Sequence, residues 1–339
     1  MPKQRILYLD VVKFVAILLV CIGHAYNLTL GKSSSVREII YSFHMPLFMI
    51  LSGYFSINAY NQNFVSFVKK KAKQLLLPFS TVYVIMTVYH TIVDGFKINV
   101  GLLGSQAIAL LWFLKTLFVC YLIVYSFKRI PGIPDWFRMV LSCLLLMLVP
   151  YGDIMDIRFM LLMFWTGYYW KKYCQDYNSY RSTITVISLL LFILLVFLKK
   201  VGIWAYCPFS MVSLMKDPVS LFAQYLIGAS GSFMTIGGLF YLCQSYKAAA
   251  PLLMMGKVGQ YTLGIFVMQY MVLEQVAKKI IVIPDMLIGS LGGGYIIYNI
   301  LSLAIGCIGL MISYFSVLFL SRSRKVNLFL FGNQYKYIS

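Results

Sequence analysis

The chain has 339 residues, of which 61% are hydrophobic and only 12% are charged, and its formal net charge is +19. A soluble domain could not bury so much apolar surface, and several apolar runs approach the ~20 residues that a membrane-spanning helix needs. The basic residues lie mostly in short segments between apolar runs and form no basic helix or zinc motif, which argues against a nucleic-acid partner. The composition therefore predicts an all-α polytopic membrane protein.

Hydropathy predicts about ten transmembrane helices. Their ranges are 6–27, 39–58, 75–94, 106–127, 137–151, 158–171, 182–199, 218–243, 258–276 and 292–320. With the N-terminus inside, eighteen basic residues fall in cytoplasmic segments and nine in outer segments. The positive-inside rule therefore predicts that both termini are cytoplasmic.

The connecting segments are too short to hold a soluble domain, and no convincing internal repeat is present. We expect a single integral-membrane domain over residues 1–339, located in the plasma or inner membrane. Within it, residues 6–276 carry the motifs, residues 292–320 form the last helix, and residues 321–339 form a cytoplasmic tail.

The first predicted helix carries Asp10, Lys13 and His24 inside an apolar run. Charged groups near a bilayer centre are costly, so they usually face a polar interior and mark function. At ~100° and ~1.5 Å per residue, Lys13 and His24 share a helix face and stand ~16 Å apart, with Asp10 one turn below Lys13. This pattern predicts one wall of a polar shaft.

His24 lies at the outer end of this wall and is a candidate general base, because the unperturbed pKa of an imidazole lies nearest neutrality. The structural alternative is a core histidine bonded to a neighbouring carbonyl. Asp10 and Lys13, three residues apart, could likewise simply neutralise each other.

The second predicted helix contains the segment SFHMPLFMILSGYF. It runs inward, so His44 is expected at a depth comparable to that of His24. Pro46 leaves a backbone carbonyl unpaired, and the resulting kink can shape a cavity. The alternative is a kinked packing helix with a buried polar residue.

A lysine-rich turn, FVKKKAKQLLLPF, precedes the third predicted helix and contains Lys71 and Lys73. Such a run is a topology signal or a contact for lipid headgroups. It also suits a phosphorylated donor that docks from the cytosol, because phosphates bind Lys and Arg.

Three further segments contain candidate site residues. In WFLKTLF, Trp112 could anchor the helix at the membrane interface, whereas the deeper Lys115 should face the bundle interior or snorkel. Arg158 opens the sixth predicted helix and could either orient a sugar or anionic group or cap the interface. In the ninth, Gln269 is expected to be the only strongly polar group at depth.

Taken in order, these segments resemble the membrane acyltransferase family 3, whose members O-acylate bacterial surface polysaccharides, peptidoglycan and lipid-linked sugars. The resemblance rests on LDVVKFVAILLVCIGH, FHMPLFMILSGYF, the lysine-rich turn before LLLPF, WFLKTLF, FWTGYY and GQYTLGIFVMQY. It extends from residue 6 to about residue 270, and we expect the short, membrane-only form of the family, without an appended extracytoplasmic domain.

The resemblance implies that His24 is the catalytic histidine and Lys13 the basic member of the same motif. It also places His44 and Trp112 in the site region. Lys71 and Lys73 would lie on the donor-facing turn. This chain departs from the family pattern at Gln74, where an arginine is common, and near Gln269, where a histidine is common.

We therefore expect an O-acyltransferase that moves an acetyl or similar short acyl group from cytosolic acyl-CoA to a sugar hydroxyl of a surface or lipid-linked glycan. The expected partners are acetyl-CoA as donor substrate, the glycan or lipid-linked sugar acceptor and membrane lipids, with no metal. The predicted residues are catalytic His24, Lys13 and Asp10, supporting His44, Trp112 and Arg158, and donor-binding Lys71, Lys73 and Lys115.

Two points stay open from the sequence. Direct transfer and an acyl-histidine intermediate both fit the residues. The alternative functions are a transporter or flippase for a sugar or lipid-linked precursor, with Asp10, Lys13 and His24 as a proton relay, and a structural subunit in which these groups are inert.

Overall fold

The structure is a computed structural model that describes residues 5–29, 34–93, 95, 100–149, 156–198, 211–246, 249–280 and 294–335. Every regular element in these ranges is helical. The helices of the first half are α1 Leu7–Ala25, α2 Ser35–Ser56, α3 Phe64–Lys71, α4 Leu77–Val93, α5 Val100–Ala109, α6 Trp112–Lys128, α7 Asp135–Leu148 and α8 Ile157–Lys172.

The second half of the chain continues the helical pattern. Its helices are α9 Cys174–Ser179, α10 Arg181–Leu198, α11 Met211–Lys216, α12 Pro218–Ser245, α13 Ala250–Gly259, α14 Thr262–Gln269, α15 Lys278–Ile280, α16 Gly294–Leu320 and α17 Arg324–Phe331. Two segments, Ala72–Leu76 and Tyr270–Ala277, have π-helical hydrogen bonding.

Six of the described helical stretches are long and apolar enough to cross a membrane. They are Leu7–Leu28, Ser35–Asn61, Phe64–Val93, Arg181–Leu198, Pro218–Ser245 and Tyr295–Leu320. A seventh crossing results if α5 and α6 form one span. Each of the ten predicted segments overlaps a described helix, so the all-helical membrane class is confirmed, whereas the count of ten crossings and the orientation of the termini stay predictions.

The fourth predicted span, 106–127, is not one straight helix, because α5 and α6 meet at a bend of 70°. Leu111 adopts a left-handed backbone conformation there, with φ of 43°, which ends the regular helix. The Lys115 ammonium donates to the carbonyls of Ala107 and Ile108, the latter at 2.9 Å. It thereby satisfies carbonyls that the broken helix leaves without an amide partner.

The lysine-rich segment predicted as a turn is helical, which corrects the prediction. Helix α3 begins after Asn63, whose side chain caps the amide of Ser66 at 2.8 Å, and continues through the π-helical segment Ala72–Leu76 into α4. Lys, Ala, Gln and Leu all favour helix, so the local composition explains the continuity.

The C-terminal segment packs against this π-helical segment. Pro78 has no amide hydrogen, so the carbonyl of Gln74 lacks its usual helical donor and instead accepts from Gln334 Nε2 at 3.4 Å. Gly332 has φ of +64°, and a Cβ there would lie 2.8 Å from Gln74 Cα. The predicted tail thus contains an ordered helix, α17, followed by a tight glycine turn.

The chain divides into two compact units. The first comprises residues 1–48, 175–205 and 222–319, and the second comprises residues 49–174, 206–221 and 320–339. Helix α2 therefore contributes its N-terminal part to the first unit and its C-terminal part to the second.

Helix α1 lies at the centre of the first unit. Gly259 of α13 contacts it so closely that a Cβ would clash with the carbonyl of Asp10. A Cβ on Gly306 of α16 would lie 2.6 Å from Ile22 Cα. Small residues allow such close helix contacts inside membranes. Val11 and Ile17 of α1 are fully buried.

The second unit is built around a reciprocal glycine contact between α2 and α8. A Cβ on Gly53 would clash with the carbonyl of Phe164, and a Cβ on Gly167 would clash with the carbonyl of Ile50. The backbones therefore touch directly. Trp165, also on α8, donates from Nε1 to Ser142 Oγ of α7 at 2.9 Å.

Candidate active site

His24 lies in the last turn of α1, in contact with a carboxylate. Its Nδ1 pairs with Oε1 of Glu274, which belongs to the π-helical segment Tyr270–Ala277 of the first unit. The two side chains are each about a quarter exposed, at 25% and 26%. A carboxylate on Nδ1 fixes the ring orientation and leaves Nε2 for a substrate proton. This is the arrangement of a general base and its orienting group.

Tyr41 and His44 of α2 lie beside this pair. A Cβ on Gly23 would lie 2.7 Å from the Tyr41 ring, so the glycine preceding His24 lets the tyrosine approach. The Tyr41 and His44 rings meet edge to face at 4.8 Å. His44 is 3% exposed, and its Nδ1 donates to the carbonyl of Ile40 at 2.8 Å.

His24 also lies within electrostatic reach of His44. The structure thus brings two of the predicted site histidines into one region. Helix α2 continues through Pro46, and the backbone bond of His44 is consistent with the packing role that was the alternative for this residue.

Arg37 adds a buried cation to the same region. Its guanidinium lies 4.1 Å from the centroid of the Tyr41 ring, and its Nη2 donates to Asn27 Oδ1 at 3.3 Å. Glu274 also lies within electrostatic reach of Tyr41. The end of α1 that carries His24 is therefore surrounded by polar, aromatic and charged groups from α2 and from the π-helical segment.

Hydrogen bonds tie this end of α1 to the first turns of α16. Tyr26 and Ser34 both donate to Asn299 Oδ1, at 2.7 and 2.9 Å. Thr29 and Ser302 hydroxyls also contact each other. These bonds hold the segments that flank His24.

Asp10 and Lys13 form an ion pair near the other end of α1, at 2.8 Å between Oδ1 and Nζ. Asp10 is nearly buried, whereas Lys13 is about a quarter exposed. The pairing that was one sequence alternative is therefore present, and the role of the pair in the reaction stays a prediction.

The remaining predicted site residues belong to the second unit. Arg158 is 6% exposed and donates to the carbonyls of Leu146 and Val149, at 3.0 and 2.5 Å, so it caps the end of α7. Trp112 begins α6, directly after the bend. Their roles stay predictions.

The three predicted donor residues differ in environment. The Lys71 ammonium lies 3.6 Å from the centroid of the Tyr121 ring, and Lys73 is exposed on the π-helical segment. Lys115 binds the carbonyls at the end of α5 and lies 4.4 Å from the Phe79 ring.

The expectation that Gln269 is the only strongly polar group at depth in its helix is wrong. Glu274 lies five residues further along the same helical stretch and faces His24. Gln269 itself is 1% exposed. Glu274 could have been found from the sequence, because it is an acidic residue inside an apolar run. Such a residue is costly in a membrane unless it is paired.

No group of three or more His, Cys, Asp or Glu side chains is placed to hold a metal ion within the part of the chain that the structure describes. The chemistry that the described residues offer at His24 is proton transfer by an imidazole that a carboxylate orients. Together with the fold, this defines a helical membrane protein with a histidine–carboxylate pair between helices of its first unit.

Comparison with known proteins shows to which family this chain belongs. The model of acyltransferase family 3, described as an acyltransferase domain, matches residues 6–315. The chain therefore belongs to this family, and an acyltransferase domain takes up nearly its whole length. The predicted resemblance is confirmed, and the match includes most of the last long helix, α16, which the motifs alone did not cover.

Two curated relatives carry the name nodulation protein NolL. The protein of Mesorhizobium japonicum is 29% identical over 153 residues, which cover 40% of this chain and 39% of the relative. The protein of Sinorhizobium fredii is 26% identical over 166 residues, which cover 44% and 43%. The alignments thus span about two fifths of these relatives. No solved structure matches the chain.

Proposed function

We propose that this protein is an O-acyltransferase that moves an acetyl or similar short acyl group from cytosolic acyl-CoA to a sugar hydroxyl of a surface or lipid-linked glycan. The observation that supports this best is the His24–Glu274 pair on the central helix of a chain that belongs to an acyltransferase family. Acetyl-CoA is the proposed donor substrate.

The proposed step needs one base. In this step the ring proton of His24 is on Nδ1, which contacts Glu274, so Nε2 accepts the proton of the acceptor hydroxyl while the hydroxyl oxygen attacks the thioester carbonyl carbon. The C–O bond forms, the C–S bond breaks, and the proton passes from Nε2 to the departing CoA sulfur. A thiolate with a pKa near ~8.5 is a good leaving group, so activation of the hydroxyl is the main requirement.

An acyl-histidine route would use the same nitrogen as a nucleophile. Rapid denaturation at neutral pH after a single turnover with radiolabelled acetyl-CoA distinguishes the routes, because an acyl-imidazole is lost quickly in acid. Label retained on wild-type protein and absent from a His24 variant supports the intermediate, whereas unlabelled protein supports direct transfer.

The function itself is tested with purified protein in nanodiscs, acetyl-CoA and a glycan extract as acceptor. We expect acceptor-dependent release of free CoA thiol and appearance of base-labile acetyl on the glycan. A transporter or flippase that uses Asp10, Lys13 and His24 as a proton relay would move its substrate without consuming acetyl-CoA, and that result would contradict the proposal.

Replacement of Glu274 by Gln is expected to lower kcat by about 10²-fold. The amide keeps the size of the side chain but can stabilise the unreactive ring tautomer and carries no charge to balance the imidazolium. Because Glu274 acts through His24, the KM for acetyl-CoA should stay near the wild-type value. Steady-state kinetics measure both quantities, and an unchanged kcat would show that the pair is only structural.

The donor arm is proposed to pass the Asp10–Lys13 pair on its way to His24. Lys13→Ala should then raise the KM for acetyl-CoA by about tenfold, the effect of one charge-assisted hydrogen bond. The double variant Asp10→Ala/Lys13→Ala controls for the carboxylate that the single change leaves unpaired. Unchanged donor KM and rate in both variants would remove support for this path.

The proposed topology has ten crossings of the plasma membrane, with both ends of the chain in the cytosol. The twofold excess of basic residues on the predicted inner side supports it. In a cysteine-free background, Lys325→Cys should react with a membrane-impermeant maleimide only after the cells are opened. Labelling in intact cells would overturn the orientation.

A further inference from the structure

An aromatic cluster lies in the second unit, outside the site built around His24. We call it the tyrosine cage and define it as Tyr60, Tyr121, Tyr125, Tyr168 and Phe67. Tyr60 is 5% exposed. The centroid of its ring lies 6.5 Å from that of Tyr121, 6.2 Å from that of Tyr125 and 6.0 Å from that of Tyr168. Phe67 stacks on Tyr125 at 4.5 Å. The cage joins α3, α6 and α8 to the segment after α2.

Three cations lie over rings of this cage, and a fourth lies over Tyr54 of α2. Lys71 Nζ lies 3.6 Å from the Tyr121 ring, and Lys128 Nζ lies 5.4 Å from the Tyr60 ring and 5.7 Å from the Tyr168 ring. The other two are Arg129, 4.3 Å from the Tyr125 ring, and Lys171, 4.9 Å from the Tyr54 ring.

These four cations are not neutralised by carboxylates among the residues that the structure describes. The neighbouring carboxylate, Asp135, is already engaged by Arg138 at 3.1 Å and by Lys172. Lys128 is also within repulsive reach of Arg129, Arg138 and Lys172. Cations held together against mutual repulsion are stabilised by an anionic ligand with several charges.

The positions of the four cations limit which class of anionic ligand fits them. They come from three separate parts of the sequence, and the distribution of basic residues predicts all three to be cytoplasmic. Several cations that converge on one cage match a compact ligand with several phosphates. A single phosphodiester headgroup of a membrane lipid offers only one such group.

We propose that the tyrosine cage and Lys71, Lys128, Arg129 and Lys171 bind the 3′-phosphate and diphosphate of acyl-CoA. This inference rests on the proposed function for the identity of the donor. It adds Lys128, Arg129 and Lys171 to the donor-binding residues that the sequence indicated. The rings of the cage and of Tyr54 would hold the ammonium and guanidinium groups in place through cation–π contacts.

The first test is calorimetric titration of CoA into the protein in nanodiscs of neutral phosphatidylcholine. Lys128→Ala, Arg129→Ala and Lys171→Ala should each raise the Kd for CoA by about tenfold or more. Lys69→Ala is the matched control, because Lys69 is an exposed lysine of the same helix as Lys71, and it should leave the Kd unchanged. Lys128→Arg should restore most of the affinity, which separates charge from folding.

The second test uses turnover with acetyl-CoA and with S-acetylpantetheine, which lacks the nucleotide. The three alanine variants should raise the KM for acetyl-CoA with little change in kcat, and they should match wild type with S-acetylpantetheine. If CoA affinity depends on these residues but no acyl transfer occurs, the inference stands and the proposed function fails. If transfer occurs but the variants bind CoA like wild type, the inference fails and the function stands.

The alternative ligand of the cage is the phosphate of a membrane lipid headgroup. Thermal stability is compared in nanodiscs of phosphatidylcholine with and without phosphatidylglycerol. Stabilisation by the anionic lipid that the three variants lose, together with an unchanged Kd for CoA, would assign the cage to a lipid headgroup and overturn the proposal. Equal lipid effects in all proteins, with weakened CoA binding, are the expected result.

Discussion

His24→Ala is expected to lower the rate of acyl transfer by about 10²–10⁴-fold, the usual contribution of a positioned general base. His24 touches Glu274 through Nδ1, so the variant removes the group that would accept the hydroxyl proton and leaves the carboxylate in place. In cells, the measurement is the O-acyl content of surface glycan in a deletion strain, by proton NMR before and after mild base. Complementation by wild type should restore acylation, and complementation by the variant should not.

His90→Ala is the matched control for loss of a histidine. His90 lies on α4 in the second unit, whereas His24 lies on α1 in the first. His90→Ala should restore acylation to the wild-type level when expression and membrane insertion are equal. Full restoration by His24→Ala would instead mean that His24 is structural and that the base lies elsewhere.

The double variant Gly53→Ala/Gly167→Ala is expected to destabilise the protein by about 3 kcal/mol. Each added methyl group would clash with a backbone carbonyl of the facing helix, and backbone cannot move aside as a flexible side chain can. Overpacking of a tight contact costs ~1–3 kcal/mol at each position. The measurement is thermal or denaturant unfolding in detergent, followed by tryptophan fluorescence.

Gly104→Ala is a control variant that should not lower the stability of the fold. Gly104 is also helical and lies in the same unit, but a Cβ there has no heavy atom within 4 Å. Alanine favours helix over glycine by up to ~1 kcal/mol, so this variant should be as stable as wild type or more stable. A double variant that unfolds with the same free energy as Gly104→Ala would show that α2 and α8 do not touch as described.

The apolar runs in the sequence were sufficient to locate the helices, but they did not show where a helix starts or bends. The 75–94 prediction began too late, because the lysine-rich segment is itself helical and continues from α3 into α4. The 106–127 prediction missed the bend at Leu111, since leucine in a left-handed conformation is not expected from composition. Lys115, interpreted as a donor residue, lies where it binds the carbonyls that this bend leaves free.

Composition and motifs were sufficient to predict a helical membrane protein that resembles acyltransferase family 3, with His24 and Lys13 on its first helix. Hydropathy and motif spacing are read along the chain, so no knowledge of packing was needed. The packing of the helices was needed to show that Glu274 contacts His24 and that Lys71, Lys128 and Arg129 lie over the tyrosine cage. Those contacts join residues far apart in sequence, so they depend on how the helices pack, which no single segment encodes.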